Sequence, residues 1–118
     1  MHKSQIQIGR EIRKVLGPLV DELRDPDLGE VSVTEVVLSP DLLHAKVFFD
    51  VNEDEAGIKR NQEILEKAAG YLRRQLSRRL RLPTTPTLLF RFDESLRRGE
   101  RVVKLLSELP DELPEEEA

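Results

Sequence analysis

Five arginines fall within nine residues, Arg73, Arg74, Arg78, Arg79 and Arg81, and no carboxylate stands between Glu66 and Asp93 to neutralise them. A guanidinium presents a planar fork of N–H donors that matches phosphate oxygens in pairs, which the ammonium of lysine does not. The chemistry on offer is recognition of an anionic chain. From Lys67 to Lys104 there are eleven basic and three acidic residues, whereas the rest of the chain has eight basic and twenty acidic. A protein of formal net charge −4 therefore carries a concentrated basic segment. Three to six phosphate contacts would make its affinity strongly salt-dependent, with a loss that steepens with each contact.

Groups able to make or break bonds are scarce. There is no cysteine, which excludes disulfides and thiolate metal sites. Of the two histidines, His2 sits at the terminus and His44 stands alone on a predicted strand. Asp93 and Glu94 are adjacent carboxylates, but neighbours at a strand end point apart, and the pair reads as a helix start. No phosphate-loop glycine pattern, Ser/His/Asp order or metal-ligand spacing occurs. An enzyme is not expected, and neither is a cofactor or a metal.

The elements that position the arginines follow from periodicity. Ile8, Ile12, Val15, Leu16, Leu19, Val20 and Leu23 share one helical face, predicting a helix over 4–24 with a kink or break at Gly17-Pro18. Two strands then form a hairpin through the turn Ser39-Pro40-Asp41, with a slip in alternation near Glu35 that suggests a bulge or burial on both faces. A helical series runs from Ile58 through Leu65, Ala69, Leu72, Leu76 and Leu80 and ends at Pro83. On a helical wheel the residues from Leu65 to Leu80 in that series fill one arc of about 80°. Arg74, Arg78 and Arg81 lie nearly opposite, with Arg73 and Arg79 at the edges of the apolar arc. Gly70, in the middle, costs about 1 kcal/mol relative to alanine. It marks a kink, a place of close approach, or tight packing against a neighbour.

A last strand spans 87–93, and a short amphipathic helix carries Val102, Leu105, Leu106 and Leu109. Three strands with helices on one face make a two-layer α+β domain. It is expected over 1–109, with a disordered acidic tail over 110–118. Tyr71 is the one aromatic residue of the basic helix, so a stacking platform is not expected and a folded RNA read through its backbone fits better. Charge alone does not exclude duplex DNA. A protein-interaction module built on the acidic N-terminal half or the tail is the competing non-enzymatic reading.

The blocks Glu30–Val36, Ser39–Val47, Ala68–Arg74, Leu80–Leu82 and Phe92–Leu96 occur in an order that resembles the bacterial ribosome-binding factor A family, over about 4–109. The resemblance implies a type-II KH-like fold, α-β-β-α-kink-α-β, in which Ala68-Ala69-Gly70 takes the place of the usual Gly-x-x-Gly loop. It implies a non-catalytic assembly factor that binds the 30S subunit and its 16S ribosomal RNA and assists late maturation, including processing of the RNA 5′ end. The RNA-binding residues expected are Ala68, Gly70, Arg73, Arg74, Arg78, Arg79 and Arg81, extended by Lys46 and Arg91 on the uncovered sheet face and by Arg97, Arg98 and Arg101 beyond it. No run of about 18 apolar residues exists to cross a membrane. A cytoplasmic monomer is expected.

Overall fold

Ser4 opens the first helix, α1 (Gln5–Asp21), with a capping box: its Oγ accepts the Gln7 N–H at 3.1 Å while Gln7 Oε1 accepts the Ser4 N–H at 3.0 Å. Two donors that helix geometry would orphan are satisfied in this way. Ile8, Ile12, Leu16, Leu19 and Val20 are buried, as the periodicity predicts. The expected break at Gly17-Pro18 does not occur; α1 continues through Pro18. The ring is exposed, and the carbonyl it leaves without a donor, that of Lys14, lies on the same wetted side. The helix then stops at Asp21, short of the predicted Arg24.

The computed structural model describes residues 4–95. The predicted C-terminal helix, the acidic tail and three of the candidate cations, Arg97, Arg98 and Arg101, lie outside the described residues. Within them the order is α1, β1 (Ser32–Leu38), β2 (His44–Asp50), α2 (Glu55–Arg79) and β3 (Thr87–Phe92). The sheet order is β1-β2-β3, with β1 antiparallel to β2 and β2 parallel to β3. A parallel step needs a crossover, and α2 supplies it. This is the α+β, KH-like arrangement expected.

Alternation sorts the two sheet faces. Val36, Leu38, Ala45, Val47, Phe49, Leu88 and Phe90 are buried beneath the helices together with Leu65, Leu72 and Leu76 of α2. Phe49 and Phe92 meet edge to face at 5.8 Å. The slip near Glu35 is a bulge: the register shifts between Val33 and Glu35. In the hairpin turn, Asp41 Oδ1 accepts from Ser39 Oγ at 2.6 Å and from the Leu43 N–H at 3.0 Å, while Leu42 adopts a φ of 64°.

The outer edge of β1 is closed by α1. Gln5 Nε2 donates to the Leu38 carbonyl at 3.4 Å and Arg13 Nη1 to the Thr34 carbonyl at 3.1 Å. Between them, a Cβ on Gly9 would stand 2.6 Å from the Val36 carbonyl oxygen. Residues 5, 9 and 13 thus form an i, i+4, i+8 stripe that runs along the edge carbonyls, and only glycine fits at its centre. An edge so occupied cannot accept a foreign strand.

α2 starts at Asp54, whose side chain accepts the Gly57 N–H at 2.9 Å. Every residue from Glu55 to Arg79 is α-helical, so Ala68-Ala69-Gly70 lies inside one continuous helix and Gly70 has no positive φ. Strong helix formers on both sides, and the buried leucines at 65, 72 and 76, outweigh the cost of one glycine. The helix ends at Arg79, with Leu80 already extended, before the predicted stop at Pro83.

Candidate nucleic-acid interface

The outer face of α2 follows from its inner one. Leu65, Leu72 and Leu76 are fully buried, and Arg73, Arg74, Arg78 and Arg79 are exposed. Four arginines on a helix facing water would normally be interleaved with glutamates at i±4. Here Arg74 and Arg78 have no ion pair or hydrogen bond among the described residues. Arg81 is likewise exposed and unpaired among them, but it follows the helix end, so an extended segment carries it and the wheel does not place it.

The remaining predicted cations are engaged. Arg73 donates through Nε and Nη2 to the Thr85 carbonyl at 3.1 and 2.8 Å, pinning the segment between α2 and β3. Arg79 Nη1 donates to Gln75 Oε1 at 2.8 Å. Arg78 and Arg79 also occupy the last turn, where cations suit the negative end of the helix dipole. Arg91 leaves the open sheet face: its Nη1 donates to the Phe90 carbonyl at 2.7 Å and lies 3.7 Å from Glu66 Oε1. Lys46 stays on that face, in the middle strand, next to Val37 and Leu89. The sheet and α2 both stand between it and the Arg74–Arg78 row, so the structure does not join these groups into one surface.

Gly70 is exposed, and the packing explanation for it fails. Apart from the Arg74 guanidinium, 3.5 Å away, a Cβ there would meet nothing within 4 Å among the described residues. Ala68, in contrast, is half-buried against the core, so it supports the helix from beneath. The glycine thus leaves a strip of bare helix backbone beside the cations, although an alanine would fit. Gly70→Ala should raise stability by up to about 1 kcal/mol. A rise of a few degrees in a thermal melt checks this, and weaker RNA binding by the same variant would show what the strip is for.

The residues considered for catalysis serve structure. His44 is exposed at the start of β2, where its N–H donates to Ser39 Oγ at 3.1 Å. Asp93 Oδ2 accepts from Thr34 Oγ1 at 2.6 Å, and Oδ1 accepts from the Ser95 N–H at 2.9 Å and from Ser95 Oγ. This is the helix-start arrangement predicted for Asp93-Glu94. The hydrogen bond from the Ser95 hydroxyl, and then that from Thr34, hold the Asp93 carboxyl below its ordinary value of 3.8. A lowered carboxyl stabilises the fold above its unfolded pKa and loses that contribution as pH falls through the folded value. The difference in melting temperature between the unmodified chain and Asp93→Asn should therefore be constant down to about pH 4 and shrink below it.

Two features escaped sequence reasoning. Asn61 is fully buried: its Nδ2 donates to Glu53 Oε2 and to the Gly57 carbonyl, and its Oδ1 accepts the Gly29 N–H, all at 2.7 Å. Arg60 pairs with Glu53 and donates through Nε to the Asp27 carbonyl at 3.1 Å. Together they lock the start of α2 to the loop that leads into β1. Asn61 falls on the face of Ile58 and Leu65, and a polar residue in that apolar series was the available signal.

The family model of ribosome-binding factor A matches residues 4–106. A ribosome-binding factor A of Halothermothrix orenii is 41% identical over 107 residues, covering 90% of this chain and 88% of that protein. Among solved structures, the solution structure of a ribosome-binding factor A from Thermotoga maritima superposes with a TM-score of 0.69 at 32% identity, covering 75% of this chain and 86% of the other. A homology model of Thermus thermophilus ribosome-binding factor A, fitted into a cryo-electron-microscopy map of a complex with the 30S subunit, gives a TM-score of 0.64 at 26% identity, covering 76% and 96%.

Proposed function

This chain belongs to the ribosome-binding factor A family, and we propose that it docks on the 30S ribosomal subunit through 16S ribosomal RNA, using the outer face of α2. The observation that carries this reading is the Arg74–Arg78 row: two exposed guanidinium groups, without a carboxylate partner among the described residues, beside the bare backbone at Gly70. Cations that repel one another are tolerated when a partner supplies the counter-charge. The Thermus relative, fitted as a homology model into the map of a 30S complex, supports that choice of partner.

In this reading the protein is non-catalytic. It acts in the cytoplasm as a monomer, late in maturation of the small subunit, and assists processing of the RNA 5′ end. Arg74 and Arg78 contact phosphate, with Arg81 and Arg79 flanking. Arg73 holds the segment before β3 in place and adds charge. Gly70 admits the RNA backbone close to the helix, and Ala68 keeps α2 seated beneath it. Arg91, Arg97, Arg98 and Arg101 are secondary contacts, and Lys46, on the open sheet face, meets a separate part of the subunit.

Co-sedimentation with small and large subunits across a salt series tests the proposal. Binding should be confined to the small subunit. Three to six phosphate contacts predict that the logarithm of the affinity falls with the logarithm of salt at a slope of about −2 to −5. Binding to both subunits alike, or a salt-independent affinity, would reject it.

A further inference from the structure

Tyr71 is the one strongly exposed aromatic ring among the described residues, with 47% of its surface open to water. Phe49 and Phe90 are fully buried, and Phe48 and Phe92 are half-buried. The Tyr71 hydroxyl has no hydrogen-bond partner among the described residues. Neither the core nor a polar network accounts for a ring in this position.

Its neighbours on the helix surface are cations. Lys67, Arg74 and Arg78 stand at i−4, i+3 and i+7 from Tyr71, on the same exposed face of α2. Side chains three and four residues apart lie about 5–6 Å from one another at Cβ. A ring between two such positions is flanked by positive charge on both sides along the helix. Gly70, next to it, has no side chain to crowd the approach.

We infer that Tyr71 stacks on an unpaired base of the bound RNA, while Lys67 and Arg74 hold the phosphates on either side of that nucleotide. This rests on the RNA-binding reading above. A base in a duplex offers its face only to the neighbouring pairs, so the contact selects a nucleotide that is unstacked in the RNA itself. Every base has a π-face, which makes such a contact tolerant of sequence. One ring does not form a platform along a strand. It marks one position, a junction or a loop, at which the helix face meets the subunit. A protein partner would have less use for a ring set in an unbroken cationic row, because the row favours a polyanion.

The test combines affinity with ultraviolet crosslinking, using the full chain and purified small subunits. Tyr71→Ala should weaken binding roughly five- to a hundredfold, the range for loss of one base–aromatic stack. Tyr71→Phe should bind as the unmodified chain does, since the ring and not the hydroxyl makes the contact. Alanine at an exposed helix position preserves folding. Irradiation of the unmodified complex, followed by nuclease and protease digestion, should give a peptide bearing a nucleotide adduct at Tyr71. Binding by Tyr71→Ala equal to that of the unmodified chain would overturn the stack while leaving the arginine interface standing. A crosslink from Tyr71 to a ribosomal protein would overturn it in favour of a protein contact. Failure of the unmodified chain to co-sediment at all would remove this inference together with the reading it rests on.

Discussion

Arg74→Glu/Arg78→Glu loses binding to the small subunit by at least about a hundredfold and melts close to the temperature of the unmodified chain. The first half follows from the strength of charge-assisted contacts. A hydrogen bond to a charged group contributes about 1.5–3 kcal/mol, so removing two gives a loss of roughly a hundred- to ten-thousandfold before repulsion is added. Two carboxylates placed against phosphates add that repulsion. The second half follows from exposure. Neither arginine has a partner among the described residues, and surface substitutions of this kind stay within about 0.5 kcal/mol. Arg78 lies in the last turn of α2, so a glutamate there opposes the helix dipole and adds about 0.3–1 kcal/mol of destabilisation. A matched double reversal, Arg24→Glu/Lys59→Glu, makes the same change in net charge at exposed sites away from the row. It should leave co-sedimentation nearly intact. Equal losses in the two variants would mean that net charge, and not this face of α2, governs docking.

What the chain discloses in one dimension is whatever repeats at short range. The apolar series of α1 and α2, the alternation of β2 and the turn at Ser39-Pro40-Asp41 are all local patterns, and the fold bears each of them out. The slip near Glu35 is equally local, because two faces of one strand cannot both keep phase across a bulge. The misreadings have a common origin: a local rule was applied where tertiary packing decides. Pro18 and Gly70 both lower intrinsic helicity, yet each sits on the solvent side of a helix whose other side is buried. There the burial outweighs the penalty.

The site was legible in charge and less so in geometry. Sequence placed the arginines on one helix opposite its core face, and Arg74 and Arg78 are there. It could not tell that Arg73 would fold back on the Thr85 carbonyl, or that Arg91 would reach Glu66, since both partners are distant in the chain. Nor could a wheel show that the helix stops before Arg81. The closures of the β1 edge by Gln5, Gly9 and Arg13 pair residues across more than twenty positions and leave no periodic trace.

Asn61→Asp shows how strongly the fold depends on one such hidden contact. The substitution changes an NH2 group to an oxygen and almost nothing in size. Aspartate keeps an acceptor for the Gly29 N–H, but its second oxygen now faces Glu53 Oε2 and the Gly57 carbonyl, which Asn61 Nδ2 served at 2.7 Å each. The new carboxylate is then fully buried and faces a carbonyl and the carboxylate of Glu53, which is itself paired with Arg60, with no donor at position 61 to serve either. An uncompensated buried charge costs about 3–5 kcal/mol, against a total of about 5–15 kcal/mol for a domain. The variant should melt well below the unmodified chain at neutral pH. Acidification should help it, because a proton shared by the two carboxylates restores a donor. The folded variant then binds more protons than the unfolded chain, and its stability rises as pH falls. Asn61→Leu, which loses the same hydrogen bonds without adding charge, should be destabilised with no such pH dependence. Thermal melts from neutral to mildly acidic pH separate the two. Co-sedimentation at low temperature, corrected for the folded fraction, should be normal in both, because the knot at Gly29, Glu53 and Asn61 sets where α2 begins and the arginine row does the binding. A pH-independent melt for Asn61→Asp would show that Glu53 turns out to water, and that the tie to the start of α2 is looser than the hydrogen bonds imply.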